Sequence, residues 1–120
     1  MNGRVDQRLR ALLDVRVRST QSGPPTSISV WIDTAFNGHF VFPERLINEL
    51  GLLQEAATEA ILADGSLVTM ESYVCYVDWF GQVLPAQVIA NEGQMPLLGT
   101  ELLAKHVLKV DYIDMKVLIS

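Results

Sequence analysis

Along most of the chain apolar and polar residues alternate with a period of two, the pattern of strands that bury one face. Leu13, Val15 and Val17 alternate with Asp14, Arg16 and Arg18 within residues 9–18, which predicts a half-buried strand. Residues 21–27 collect turn formers and predict a loop. Ile28, Val30 and Ile32 then share one face of a second strand. That strand breaks at Asp33. It resumes at Phe40-Val41-Phe42 after Asn37-Gly38, a tight-turn pair because both residue types tolerate positive φ. Residues 43–50 predict a short helix, opened by proline and glutamate and stopped by Gly51.

Two hairpins follow. Residues 56–62 and 67–70 flank Ala63-Asp64-Gly65-Ser66, and residues 73–79 and 83–90 flank a turn at Phe80-Gly81-Gln82. Residues 91–94 predict a loop and Leu97-Leu98-Gly99 a short apolar segment. Residues 100–106 predict a second helix that Thr100 would cap, and residues 107–112 and 115–119 two closing strands. Residues 1–8 are polar and predict an arm or irregular lead-in. The chain therefore divides into an arm at residues 1–9 and one domain at residues 10–120. Many short strands with one or two short helices imply an all-β barrel or sandwich.

Composition narrows the function classes. At 120 residues, 49% of them apolar, the chain can bury the core of one domain. A net charge of −5 provides no basic footprint for nucleic acid and no attraction to an anionic membrane. No run approaches the roughly 18 apolar residues of a membrane span. No secretory leader pattern is evident, so a cytoplasmic location is expected. Cys75, the one cysteine, sits in a strand pattern without a local histidine and reads as a core residue. The two histidines, His39 on a strand and His106 near a helix end, have no metal-ligand spacing, so neither metal nor cofactor is expected. Asp111 and Asp114 read as turn residues, and Ser66 and Ser72 lack the Gly-x-Ser-x-Gly setting of a serine hydrolase. Trp31, Phe36, Phe40, Phe42, Trp79 and Phe80 supply apolar bulk, for which core packing is the default and lining of a substrate groove the alternative.

Asp33 stands apart. It follows Ile28-Ser29-Val30-Trp31-Ile32 without a spacer, where a carboxylate must be hydrogen-bonded or open to a cleft. It either caps a turn or works in a site. The segment Ile32-Asp33-Thr34-Ala35-Phe36-Asn37-Gly38 resembles the catalytic loop of retropepsin-like aspartic proteases, above all the bacterial and archaeal single-domain type. Three further elements follow in that family's order: the helix at 43–52, a hairpin at Leu62-Ala63-Asp64-Gly65-Ser66 like the flap, and Leu97-Leu98-Gly99 before a helix.

The resemblance covers residues 10–119 and implies a retropepsin-like acid protease barrel. It implies an endopeptidase in which Asp33 is catalytic and Thr34 and Ala35 complete the triplet. Phe36, Asn37, Gly38, Leu97, Leu98 and Gly99 would support the loop, and Ala63, Asp64, Gly65 and Ser66 would form the flap over a peptide or protein substrate. With one such loop per chain, the resemblance implies a homodimer that supplies two aspartates. One position departs from the family, which has glycine where Ala35 stands. If the backbone there needs positive φ, alanine costs about 1 kcal/mol; if not, its methyl would still crowd the groove. A weakly active or inactive dimer that binds peptides is the alternative reading, and a stand-alone β-barrel binding module the third.

Overall fold

The period-two segments become ten strands of one sheet, and a computed structural model describes residues 1–61 and 63–120 of the chain. In chain order these are β1 (Asn2–Val5), β2 (Ala11–Arg18), β3 (Thr26–Ile32), β4 (Phe40–Pro43), α1 (Glu44–Leu50), β5 (Leu53–Ile61), β6 (Leu67–Trp79) and β7 (Gln82–Asn91). They continue with β8 (Leu97–Leu98), α2 (Thr100–Leu103), β9 (Leu108–Asp111) and β10 (Lys116–Ile119). The sheet order is β5-β6-β7-β4-β8-β3-β2-β1-β10-β9, and a further β2–β6 pairing bends the sheet back on itself. The curled sheet encloses Leu13, Val30, Phe40, Phe42, Val88, Leu98 and Ile119, all fully buried.

The predicted alternation is met in β2, where Val15 and Val17 are buried and Asp14 and Arg16 exposed. In β3, Val30 and Ile32 point inward and Trp31 outward. Gly51 ends α1 with φ 67, and its amide reaches the Asn48 carbonyl at 3.2 Å. Gly81, with φ 80, makes the tight turn that joins β6 to β7 across the Trp79–Gln82 pair.

Four local expectations are corrected. Residues 2–5 of the polar lead-in form β1, which pairs with both β2 and β10. Strand pairing satisfies backbone groups, so a polar segment joins a sheet when both neighbours are already in place. The second helix stops at Leu103 rather than 106, because Ala104 is extended and Lys105 has φ 68. Thr100 does not cap it: Gly99 holds that position, and the Thr100 hydroxyl donates to the Phe36 carbonyl at 3.3 Å. His39 lies in a bend before β4, and its Nδ1 accepts the Gln87 amide at 3.2 Å. Leu62, placed in the first hairpin, lies outside the described residues.

The charged residues sit on the outer face. Arg18 forks onto Asp78 through Nε at 2.9 Å and a terminal nitrogen at 3.1 Å, and Arg16 approaches the same carboxylate at 3.7 Å. The Arg18 hydrogen bonds hold the Asp78 carboxyl below the usual carboxylate range. Asp14 is lowered by Ser29 and Arg4, and Asp111 by the Asp114 and Ile113 amides. A carboxyl lowered by folding contributes stability above its unfolded value and loses it as the pH falls through the folded one. The melting temperature is therefore expected to be flat from neutral pH to about 5 and to fall below about 4. Asp78→Asn should lower the melting temperature at pH 6 and flatten the acid limb, as thermal melts across pH would show.

Candidate active site

Asp33 lies where β3 leaves the sheet. Its main-chain amide donates to the Leu98 carbonyl at 2.9 Å, and its carbonyl accepts the Phe36 amide at 3.2 Å. Its carboxylate Oδ1 accepts the Ala35 amide at 3.0 Å. The three bonds hold a partly buried carboxylate at the mouth of a tight loop, with Thr34 and Ala35 exposed beside it. Both readings of Asp33 from the sequence are thus compatible locally: it closes a turn, and it is open to a cleft.

The loop is held from behind by β8. Leu97 and Leu98 run parallel to Trp31 and Ile32 on one side and antiparallel to Val41 and Phe40 on the other. The segment fits between the diverging strands β3 and β4 because Gly99 has no side chain. A Cβ there would meet the Gly38 carbonyl oxygen and the Phe36 ring, with the Phe36 carbonyl oxygen 2.7 Å away. The Gly99 amide donates to the His39 carbonyl at 2.8 Å, and the Thr100 and Glu101 amides to the Phe36 and Gly38 carbonyls at 2.8 and 3.2 Å. Phe36, Gly38, Leu98 and Gly99 are therefore brought together behind Asp33, whereas Asn37 is exposed.

Two details of the loop differ from the tight-turn expectation. Gly38 is not left-handed; it is glycine because the Phe36 ring lies against its Cα. Ala35 is not left-handed either, so of the two costs considered for alanine, backbone strain does not apply, and its methyl stands exposed next to Asp33.

In front of the carboxylate is a shallow cavity of about 360 Å³ lined by Trp31, Ile32, Asp33, Thr34 and Leu97. Trp31, 39% exposed, is its aromatic wall. The Arg10 guanidinium lies over the indole, 5.7 Å from its centroid. Arg10 is clamped in turn by Asp6, whose carboxylate accepts the Arg10 amide at 2.9 Å and Nε at 2.7 Å. The Arg10 amide and then its guanidinium hold the Asp6 carboxyl below the usual range. For Trp31 the default of core packing gives way to the alternative, a place in the wall of a groove. Its phase, opposite to Val30 and Ile32, was the available signal, while the Arg10–Asp6 clamp left none. A cavity of about 400 Å³ beside Arg45 and Asn91 lies apart from Asp33, so chemistry and not volume selects the site.

The four flap candidates lie at the β5–β6 turn. Ala63, Asp64, Gly65 and Ser66 are exposed, Gly65 has φ 85, and Ile61 pairs with Leu67. Asp64 Oδ1 accepts the Ser66 hydroxyl at 2.6 Å and its amide at 2.9 Å, which hold the Asp64 carboxyl below the usual range. Residues 67–71 of β6 pair with β5 alone, since the β7 partners begin at Ser72. The hairpin therefore extends past the rest of the sheet, with Leu67, Val68 and Met70 exposed on it.

The other candidate groups are engaged elsewhere. Burial pushes the Cys75 thiol up to about 12, so it is an inert core residue. Asp111 Oδ1 accepts the Ile113 and Asp114 amides at 2.9 and 3.0 Å, closing the β9–β10 turn. Among the described residues no three His, Cys, Asp or Glu side chains converge to hold a metal ion, and no helix is long and apolar enough to cross a membrane.

No protein-family model matches the chain, and no curated protein matches it in sequence. Solved structures do. The chain is similar to a retropepsin-like aspartic protease from Rickettsia conorii, with a TM-score of 0.67 at 13% identity over 99% of this chain and 89% of that one. It is also similar to EIAV protease complexed with the inhibitor HBY-793, with a TM-score of 0.56 at 17% identity over 82% of this chain and 88% of that one. At such identities the likeness is one of architecture: this chain has the fold of the retropepsin-like aspartic proteases.

Proposed function

We propose that the chain is one subunit of an aspartic-type endopeptidase whose active site forms between the Asp33 carboxyls of two copies. The observation that carries this reading is the placement of Asp33. It is pinned by backbone bonds at the mouth of its loop and faces a cavity with apolar walls. The retropepsin-like fold supports it.

Two adjacent carboxyls share one proton, because both cannot ionise cheaply at close range. The ionised partner takes a proton from water as the water oxygen attacks the scissile carbonyl carbon. The protonated partner gives its proton to the carbonyl oxygen. The resulting diol collapses: the C–N bond breaks and the amine nitrogen receives the proton taken from water. One diol hydroxyl returns its proton to the other carboxylate, so a carboxylic acid is left and the dyad again holds one proton. Thr34 of each copy would hold the two loops in register across the twofold axis. The exposed residues Leu67, Val68 and Met70 of the projecting hairpin would cover an extended peptide and exclude water, which strengthens the electrostatics of the site.

Digestion of a complex peptide mixture between about pH 4 and 7, with mapping of the products by mass, tests this reading. A confirmed dimer that cuts nothing would sink it in favour of a peptide-binding dimer. Trp31 and Leu97 line the cavity beside Asp33, so cuts should fall next to bulky apolar side chains. Trp31→Ala is expected to lower kcat/KM for those sites by about 10-fold or more, with small side chains less affected. Cuts confined to sites flanked by charged residues would contradict this specificity.

A further inference from the structure

Charge is divided unevenly along the chain. Residues 46–104 hold eight carboxylates and no lysine, arginine or histidine, whereas eight of the nine lysines and arginines fall in residues 1–18 and 105–120. The fold keeps the two sets apart. The cations stand on β1, β2, β9, β10 and the turns beside them, while residues 46–104 supply the projecting β5–β6 hairpin and the loop before Leu97. Of the eight carboxylates, Asp78 is paired with Arg18 and Arg16, and Glu49 approaches Arg45 at 3.8 Å. Among the described residues no ion pair reaches Glu55, Glu59, Asp64, Glu71, Glu92 or Glu101, all of them exposed.

Four of these six belong to the hairpin. Glu55 sits at the bulge of β5, Glu59 pairs with Thr69, Glu71 pairs with Ala57, and Asp64 stands in the turn. They are interleaved with the exposed side chains of Leu67, Val68 and Met70, so the ribbon presents apolar surface and negative charge together. Among the described residues no three carboxylates converge, so the charge is spread along the ribbon rather than gathered into a metal site. At the base of the hairpin Glu71 accepts the Tyr73 hydroxyl at 3.0 Å. That bond, then burial and the charges of Glu71 and Glu44, hold the Tyr73 hydroxyl above its usual range, a local mark of the negative field. The same sign continues at the cavity of about 400 Å³, where Glu44 and Glu92 are both in the lining. From Glu92 the chain runs to Pro96, whose carbonyl accepts the Trp31 amide at 2.8 Å in the wall of the Asp33 cavity. Arg10, over that wall, is matched by Asp6 at 2.7 Å and does not offset the field.

Charged side chains also keep a strand edge from pairing with other chains, but charge of either sign serves that purpose. Exclusion of every cation from residues 46–104 is a choice of sign, and a choice of sign is felt by a charged partner. We propose that the hairpin and the loop before Leu97 select basic polypeptides as substrates. An apolar residue enters the cavity beside Asp33, and lysine or arginine residues further along the extended peptide lie against Glu55, Glu59 and Glu71. The inference rests on the protease reading above and names its substrate class. Neutral peptides with the same apolar residue are still cut, more slowly, because the field that gathers the peptide does not act on them.

The test measures kcat/KM for peptides that share one apolar cleavage site and carry lysines, glutamines or glutamates at a distance from it. At low salt the lysine peptide is expected to be cut about 10-fold better than the glutamine peptide, with the glutamate peptide slowest. High salt should remove most of the difference. Glu55→Gln combined with Glu59→Gln, both on exposed side chains, should bring the lysine peptide down toward the glutamine peptide and leave the latter unchanged. Asp114→Asn, in the β9–β10 turn, removes one carboxylate elsewhere and should alter neither. Equal kcat/KM for the three peptides at low salt, or faster cleavage of the glutamate peptide, overturns the proposal. Binding of the same peptides, labelled, to Asp33→Asn by fluorescence anisotropy separates the two readings. A salt-sensitive preference for the lysine peptide without cleavage by the parent keeps the basic-peptide surface and removes the protease. Cleavage by the parent without that preference does the reverse.

Discussion

Asp33→Asn is expected to abolish peptide cleavage, lowering kcat/KM by about 10³-fold or more, in the range of general acid–base catalysis. The substitution should leave the loop standing. Asparagine retains a side-chain oxygen to accept the Ala35 amide, and the two main-chain bonds to Leu98 and Phe36 do not involve the side chain. Thermal melts of the variant and the parent should therefore nearly coincide. Because the proposed site takes one carboxyl from each copy, mixing adds a sharper prediction. Equal amounts of parent and variant, refolded together, form parent dimers in only about a quarter of cases, and activity should fall to that fraction. Activity falling only to a half would mean that each chain works alone. Equal cleavage by parent and variant would assign the chemistry to another residue.

Gly99→Ala is expected to cost a large part of the stability of this chain, about 3 kcal/mol. The backbone at Gly99 is extended, with φ −99 and ψ 179, so alanine is not strained by conformation. The cost is steric. The new Cβ would run into the Gly38 carbonyl oxygen and the Phe36 ring, and the obstacle is largely backbone. Moving it away would break the bonds from Gly99 to His39 and from Thr100 to Phe36, both 2.8 Å. A drop in melting temperature on the order of 10 °C follows, together with lost activity, since the same contacts hold the loop of Asp33. Gly51→Ala is the comparison. There φ is 67 and the space around the Cα is open, so the cost is conformational and only about 1 kcal/mol. Equal melts for the two variants would remove the close-packing account of Gly99.

Much of the architecture was legible along the chain because local rules and tertiary demands agreed. The alternation in β2 and β3, the proline and glycine at the ends of α1, and the turns at Asp64-Gly65 and Phe80-Gly81 each express a short-range constraint that the fold keeps. Asp33 was conspicuous for a local reason too, as a carboxylate set against an apolar strand. Where a residue's neighbours are distant in sequence, local reasoning assigned the wrong cause or missed the feature. Gly38 carries a turn signal, yet its lack of a side chain serves the Phe36 ring. Trp31 carries bulk, yet its phase sends it into the cavity under Arg10. Residues 2–5 carry only polarity, yet β2 and β10 on either side make them a strand.

By itself, then, the order of residues determined the strands, the turns and the isolated aspartate, since each depends on chain stiffness and on which face is apolar. The tertiary structure decided what stands behind and in front of that aspartate: Leu98 and Gly99 threaded between β3 and β4, and Trp31 and Leu97 around the cavity. It also decided that the termini pair within one chain and leave β9 at the edge. These depend on which distant backbones approach within hydrogen-bond reach, a quantity that periodicity does not carry.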